Sequence, residues 1–474
     1  MRVQAVLDNL EGGDAAVIRG RSGIAVAAGV LGLALVASGC YSSQVTTRRV
    51  TVSRGEAAQP TVSDSSLDSS PGAAIATSGA SMGPAPSTRT GEAGVGSAPG
   101  GATDVGLTAN TIKIGYVGDF SGQARAFFGP ALDTLNAYIA DINSRGGIHG
   151  RKARLVYYSA NYQSPDQVLS AVRRLVEQDK VFVVVMLVSL DVSAGPAVAY
   201  LNEKGVPCLG CRSSAQTDLA LGPSNFVTQI DPASHGEILG GFVAKRLNKK
   251  YMAVGYCESA NDKNLAMLAA ASFERHGGKV VDKRSIGNCT QTSMESPVAA
   301  WYSTVPRPDV LMIIDPIGMA EGTAAARRMG WNVQVTGRSG WFQLVLDIGG
   351  SQTEGLIATT EGYACPGYQS PQWNRFRQVL KAYYPDRKEE EITVEAWSSL
   401  GLLEEAARRA GPNLTRRGLV QAVEGMSGFD DGMGPKFAFG PGRHWGRSST
   451  GFYMIHNQAF VKATPEDFFT VDDL

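Results

Sequence analysis

Short apolar runs alternate with longer amphipathic stretches along most of the chain, and this alternation begins at Ile112. In its first half, runs rich in β-branched residues predict four strands, at 112–117, 153–158, 181–188 and 206–210. Helically spaced apolar residues predict helices between these strands, at 130–144, at 165–178 and over a stretch that ends at 203. Strands that alternate with helices indicate a parallel sheet covered by helices.

The same alternation starts again in the second half of the chain. Strands are predicted at 251–257, 279–285, 310–314, 333–336 and 355–360. Helices are predicted at 234–247, 265–276, 294–303, 321–329 and 392–409. The chain has 474 residues, which is too long for one core, because single cores stop growing near about 250 to 300 residues.

We therefore expect an α/β fold with two doubly wound parallel-sheet lobes joined by a hinge. The first lobe is predicted to contain residues 111–230 and the second residues 231–360, and each lobe receives part of 361–474. In such sheets ligands bind beyond the carboxyl ends of the strands. Two lobes that face each other should therefore form a cleft with loops from both.

The N-terminal segment has the features of a secretion signal. Two arginines, Arg19 and Arg21, precede an uninterrupted apolar run over 24–37, which ends at Ser38, Gly39 and Cys40. This run is shorter than the roughly 20 apolar residues that a membrane-crossing helix needs, and polar sequence follows it. We interpret residues 1–40 as a signal peptide; a short membrane anchor is the alternative.

Residues 41–110 are rich in Ser, Thr, Gly, Ala and Pro and show no sustained helical or strand period. Such a composition buries too little apolar surface to offset the entropy of ordering. The segment is predicted to be a disordered tether. Its alternative is a tail without a mechanical role.

Charge and motifs exclude several classes of function. The chain carries 44 Lys plus Arg and 44 Asp plus Glu, so no basic excess indicates nucleic-acid binding. Its five histidines are scattered and show no metal-ligand spacing. It contains no nucleophile elbow, phosphate loop or dinucleotide fingerprint. We therefore expect neither an enzyme nor a bound metal or cofactor.

Several short motifs resemble the type I periplasmic binding proteins of the branched-chain amino acid, amide and urea group, which deliver solutes to ABC importers. The motifs are Gly118-Asp119-Phe120-Ser121-Gly122, Phe128-Gly129, Ile142-Asn143, Gly146-Gly147-Ile148, Gly150-Arg151-Lys152, Leu175-Val176 and Gly205-Val206-Pro207. Ser38-Gly39-Cys40 likewise resembles the lipobox of bacterial lipoproteins, although Ala37 stands where Leu is usual. The resemblance implies that Cys40 carries a lipid that anchors the protein to the cell membrane.

For the first lobe, the resemblance implies that Ser189, Ser213 and Ser214 hold the polar head of the ligand. A Ser beside free amides at a helix start suits a carboxylate or carbonyl oxygen; each Ser could instead be only a helix cap. Phe128 falls where the family places an aromatic ring over the ligand, and its alternative is a core position.

The second lobe departs from the family pattern. Amino-acid binders place an aromatic residue after the first strand of this lobe and an acid after a later one, and these positions fall near Asn261 and Ser339. Asp315 or Glu258 would then supply the missing charge, and Trp341 or Trp397 the missing ring. Arg338, if it enters the cleft, would favour an acidic ligand; otherwise it is a solvated residue at the edge.

Five cysteines follow Cys40: Cys208, Cys211, Cys257, Cys289 and Cys365. A secreted chain works in an oxidising compartment. Cys257 ends one predicted strand and Cys289 follows the next, so we predict a disulfide bond between them. The pairing of the other three cysteines stays open at this stage. Cys208-x-x-Cys211 superficially resembles a zinc motif, but it lacks the second pair of a zinc site.

Together these features predict a lipid-anchored solute-binding protein outside the cytoplasmic membrane. Its expected partners are a small polar molecule (amino-acid-like, an amide or an organic acid) and the permease and ATPase of an ABC importer. A ligand sensor of the same fold that docks a signalling protein is the alternative function. The sequence does not distinguish these two roles.

Overall fold

A computed structural model describes residues 101–120, 125–187, 194–211, 221–287, 293–338 and 340–474. Its strands form two sheets, and the chain crosses between them after β5, β10 and β11. The first six strands in chain order are β1 (Thr111–Gly118), β2 (Lys152–Ser159), β3 (Val183–Val185), β4 (Cys208–Leu209), β5 (Asn225–Ile230) and β6 (Tyr251–Tyr256). The others are β7 (Lys279–Ser285), β8 (Val310–Ile314), β9 (Gln334–Arg338), β10 (Ile357–Thr359), β11 (Trp445–Arg447), β12 (Phe452–His456) and β13 (Ala459–Lys462).

The first sheet has the order β11-β5-β4-β3-β1-β2, and all of its strand pairs are parallel. The second has the order β13-β12-β10-β9-β8-β6-β7; β6 to β10 are parallel, and β12 and β13 add an antiparallel hairpin. The three valines of β3 are completely buried, as expected for a central strand covered on both faces. The predicted α/β fold with two parallel-sheet lobes is confirmed.

Helices cover both sheets. Those of the first lobe are α1 (Arg125–Ser144), α2 (Pro165–Glu177), α3 (Ala194–Glu203), α9 (Pro371–Tyr383), α10 (Glu391–Ala410) and α11 (Arg416–Glu424). Those of the second lobe are α4 (Pro232–Lys245), α5 (Ala260–Arg275), α6 (Glu295–Tyr302), α7 (Pro316–Arg328) and α8 (Gln343–Gly349). The largest cluster of buried apolar residues has members in both lobes.

Four helices begin with the same pair, a capping Ser or Asp followed by Pro. The pairs are Ser164-Pro165, Asp231-Pro232, Asp315-Pro316 and Ser370-Pro371. The capping side chain accepts a backbone N–H of the first turn, and Pro suits the first helical position because its missing N–H has no partner there. This sequence feature fixes where the chain turns from a strand or loop into a helix.

The segments that cross between the lobes are bonded to one another. The Ile230 N–H donates to the Glu361 carbonyl at 3.1 Å, and the Asp231 N–H donates to the Arg447 carbonyl at 2.9 Å. The hydroxyl groups of Thr360 and Thr450 are 3.0 Å apart. The hinge is therefore a hydrogen-bonded bundle of three segments.

Candidate functional site

Polar side chains follow several strands at their carboxyl ends, where parallel sheets bind ligands. Asp119 comes directly after β1 in the first lobe. In the second lobe Asp315 follows β8, and Arg338 is the last residue of β9. They lie at the carboxyl edges of the two sheets, which are called here the two walls of the candidate cleft.

Tyr162 connects the two walls electrostatically. The Asp119 Oδ2 atom accepts the Tyr162 backbone N–H at 3.2 Å, and Asp119 is 4% exposed. Burial raises the pKa of the Tyr162 hydroxyl, and the carboxylates of Asp119 and Asp315 raise it further. Tyr162 therefore lies within electrostatic reach of an acid from each lobe.

Asp315 caps the start of α7, where its Oδ2 atom accepts the Gly318 N–H at 2.5 Å. Burial raises the pKa of Asp315 to about 7; Asp262 raises it too, whereas the Gly318 N–H and the Arg338 guanidinium lower it. Burial therefore favours the neutral form of this carboxyl group more than water does.

Arg338 is held by acids of its own chain. Its side chain is 11% exposed, and it forms ion pairs with Glu361, at 2.8 Å, and with Asp262. Two carboxylates offset one guanidinium, so Arg338 is neither a solvated edge residue nor an unpaired cation that would attract an acidic ligand. The residues near Arg338 make the second wall charged rather than apolar.

The predicted site residues have different surroundings. Phe128 is buried in the first-lobe core, with its ring centroid 6.0 Å from that of Tyr162. Asn261 lies in the first turn of α5, directly before Asp262, and is buried. Trp341 is also buried, with its ring centroid 6.3 Å from that of Trp373. Four predicted residues lie outside the described part of the chain: Ser189, Ser213, Ser214 and Ser339.

Sequence reasoning missed four wall residues, Asp119, Tyr162, Asp262 and Glu361, as site candidates. The strand-end rule could have indicated Asp119 and Tyr162, which follow β1 and β2 within a few residues. The same rule could have indicated Glu361, which follows β10 by two residues, whereas its ion pair with Arg338 depends on the fold.

A pocket of about 310 Å³ lies where the two lobes approach each other. Ala126 and Pro130 of α1 form one side, and Phe342 and Leu344 at the start of α8 form the other. Glu390, just before α10, also lines it. This volume is at the lower end of the range of about 300 to 1,000 Å³ for small-molecule sites. None of the predicted ligand residues lines this pocket.

The cysteines are arranged for an oxidising compartment. Cys208 and Cys211 form a disulfide bond with each other, with their Cα atoms 5.5 Å apart. Cys257 is disulfide-bonded as well; Cys289 lies outside the described residues, so the pairing of these two stays a prediction. Cys365 is a free, buried thiol, and burial raises its pKa.

The described ranges contain neither a candidate metal site nor a candidate membrane-spanning helix. No group of three or more His, Cys, Asp and Glu side chains there could hold a metal ion. No helix in that part of the chain has the length and apolar character to cross a membrane. Cys40 and the apolar run before it lie outside the described residues.

Comparison with solved structures supports the fold. The leucine-binding protein LivK from Thermotoga maritima is 17% identical with a TM-score of 0.65, and the match covers 77% of this chain and 100% of that one. A fatty acid ABC transporter substrate-binding protein from Thermomonospora curvata is 21% identical with a TM-score of 0.66, covering 77% and 94%. A solute-binding protein of an ABC transporter from R. palustris, in complex with benzoate, is 16% identical with a TM-score of 0.63, covering 74% and 95%.

Sequence comparison identifies the family. No curated protein sequence matches the chain, but the family model described as "Periplasmic binding protein" matches residues 111–457. That range contains every strand of both sheets except β13. Members of the family bind solutes outside the cytoplasmic membrane and are not enzymes. The chain therefore belongs to the periplasmic binding protein family.

Proposed function

We propose that this protein is a lipid-anchored solute-binding component of an ABC importer, which captures a small polar molecule in the cleft between its lobes. The observation that carries the proposal is that acids follow the carboxyl ends of strands in both lobes, Asp119 after β1 and Asp315 after β8, where parallel sheets bind ligands. A solute between such walls contacts both lobes. Binding then favours the closed state by its differential affinity for that state.

The expected ligand has a carboxylate or carbonyl head. The ligands named for the three similar structures are leucine, a fatty acid and benzoate, and all three carry a carboxylate. In this chain Ser189, Ser213 and Ser214 are proposed to hold that head.

The second wall is proposed to select the rest of the ligand through Asn261, Asp315 and Ser339. Phe128 is proposed to cover the ligand and Trp341 to supply a ring of the second wall; both are buried, as is Asn261. An apolar branched side chain beside the charged groups of Asp262, Asp315 and Arg338 would partly desolvate them without adding a polar contact, which is unfavourable. Branched-chain amino acids should therefore bind poorly.

A thermal-shift panel tests this proposal. Leucine, isoleucine and valine are compared with asparagine, acetamide, urea and benzoate. A true ligand at a thousand times its Kd stabilises the folded state by about 4.1 kcal/mol if it binds only that state. We expect a clear shift for a polar compound and none for the three branched amino acids.

Replacing Ser189 with Ala should weaken binding of the compound that gives the shift by about 0.5 to 3 kcal/mol, the range for a lost hydrogen bond or an unpaired polar partner. Ser351→Ala, at an exposed position of the second lobe, is the matched control and should leave Kd unchanged. Tight leucine binding would show that the interpretation of the second wall is wrong. An unchanged Kd in Ser189→Ala would remove Ser189 from the site.

Replacing Cys40 with Ala should abolish lipid labelling and release the protein from membranes, because two or more acyl chains hold a protein where one does not. The measurement is metabolic labelling with a fatty acid, followed by fractionation. Cys365→Ala removes a buried free thiol and should leave labelling and membrane retention intact. Retained labelling in Cys40→Ala would contradict the lipid anchor.

A further inference from the structure

The start of α10 in the first lobe is bonded to the segment between β9 and α8 in the second. The Trp341 N–H donates to Glu391 Oε2 at 3.2 Å, and the Gln343 N–H donates to Glu390 Oε1 at 2.9 Å. In return, the Glu391 N–H donates to the Trp341 carbonyl at 3.4 Å. Two neighbouring acids of one lobe therefore hold the backbone of the other.

Packing reinforces these bonds. The Trp341 ring is buried in the cluster that also contains Trp373 of α9 in the first lobe. From the second lobe, the Tyr453 hydroxyl donates to the Gly340 carbonyl at 2.7 Å. Gly340 has a φ of +64°, and a Cβ added to it would lie 3.0 Å from Glu391 Oε2. The segment and the carboxyl group are therefore in direct contact.

Glu391 is 1% exposed and has no cationic partner among the described residues. Its other oxygen accepts the backbone N–H of Glu361, in the segment that follows β10. Arg338, at the end of β9, pairs instead with Asp262 and with the Glu361 side chain. A buried carboxylate without a counter-charge is unfavourable and takes up a proton.

The other titratable groups near Glu391 do not favour its ionised form. Glu395 lies one turn along the same helix, and Glu361 and the Cys365 thiol come from the segment after β10. Burial raises the pKa of Glu391 well above its usual value, and the Glu361 and Glu395 carboxylates raise it further. The backbone N–H groups of Glu361 and Trp341 lower it, but by less.

We propose that Glu391 is a proton-dependent latch between the lobes: in its neutral form it holds the β9–α8 segment of the second lobe on helix α10 of the first. Ionisation places an uncompensated negative charge in this buried site, near the Glu361 and Glu395 carboxyl groups, and drives the Glu391 carboxyl group toward water. The latch begins three residues after Arg338 of the cleft wall, so its release changes the support of that wall. This role goes beyond solute capture and needs no bound ligand.

The direction of the pH effect follows from proton linkage. Opening the contact hydrates Glu391 and returns its pKa toward the ordinary value, so the closed contact binds the proton more tightly than the open one. The contact is therefore fully stable below the ordinary pKa and weakens as the pH rises toward the raised pKa. For one proton, the equilibrium shifts toward opening by at most about tenfold per pH unit.

Hydrogen exchange of the full chain tests the latch without any solute. The amides of Trp341 and Glu361, which donate to Glu391, are followed between pH 5.5 and 8.5, corrected for intrinsic exchange, with Met312 in the buried strand β8 as the reference for global opening. We expect their protection relative to Met312 to fall with rising pH, by up to about tenfold per unit. Glu391→Gln keeps an acceptor oxygen without a titrating proton, so its profile should be flat.

Glu404→Gln is the matched control on the same helix. Glu404 is 8% exposed; burial opposes its ionisation, but hydrogen bonds from Tyr138, Arg145 and Arg408 lower its pKa overall. This variant should keep the wild-type pH profile at the amides of Trp341 and Glu361. Protection that is independent of pH in the wild type, or a Glu391→Gln profile that still falls with pH, would overturn the latch. The wild-type series alone decides the matter if the variant does not fold.

Discussion

Replacing Asp431 with Asn is expected to lower the free energy of unfolding by about 3 to 5 kcal/mol, the cost of breaking a buried ion pair by removing one partner. The pair joins Asp431 Oδ2 to Arg447 Nη2 at 2.8 Å, and their side chains are 3% and 0% exposed. Arg447 also donates to the Gly362 carbonyl at 2.6 Å and to the Ser398 hydroxyl at 3.2 Å. Without the Asp431 carboxylate, the charge of Arg447 stays buried and has no counter-charge.

Denaturant unfolding of the wild type and Asp431→Asn measures this loss. The control is Glu405→Gln. It breaks the ion pair between Glu405 and Arg409, which both lie on helix α10 of the first lobe. That pair is partly exposed, at 34% and 43%, and such pairs contribute about 0 to 1 kcal/mol. A loss in Asp431→Asn no larger than that of the control would contradict the role assigned to the buried pair. Adding Arg447→Met to Asp431→Asn should recover part of the loss, because it removes the uncompensated charge.

The sequence predicted most strands and helices because their apolar periods are strong. The predicted ends of these elements were less accurate where the capping residue was overlooked. The helix predicted at 321–329 begins at Pro316, directly after its cap Asp315. Gly318 and Gly322 weaken the helical pattern there, and both are required by close packing, since an added Cβ would lie 2.9 and 2.6 Å from Ile286 and Ile313 side-chain atoms respectively.

Some elements were missed because their stability comes from neighbours that are distant along the chain. β5 (Asn225–Ile230) contains three polar residues among six and has no clear apolar period, yet it is fully buried, because it pairs with β4 on one side and β11 on the other. The run at 181–188 predicted a long strand, whereas β3 contains only Val183–Val185. β11 pairs with a strand more than 200 residues away, which no local pattern reveals.

The residues of the candidate site differ in whether the sequence alone can indicate them. Residues directly after a strand, such as Asp119 and Asp315, can be found from strand ends alone. The ion-pair network of Asp262, Arg338 and Glu361 joins three elements of the chain, so it exists only once the fold is formed. The sequence therefore indicated where the cleft lies but did not show that the charge of Arg338 is neutralised.

Replacing both Cys257 and Cys289 with Ala is expected to lower the free energy of unfolding by about 3 to 4 kcal/mol, less any native-state strain, because the proposed bond closes a loop of more than 30 residues in the unfolded chain. Cys257, which is disulfide-bonded, follows β6, and β6 pairs with β7, the strand before Cys289. The matched control is Cys208→Ala with Cys211→Ala, whose bond spans three positions and is worth only about 2 kcal/mol in the same chain-entropy model. Peptide mapping under non-reducing conditions should recover a Cys257–Cys289 peptide. Recovery of Cys257 bonded to any other cysteine would refute the pairing, and equal losses in the two double variants would contradict its energetic role.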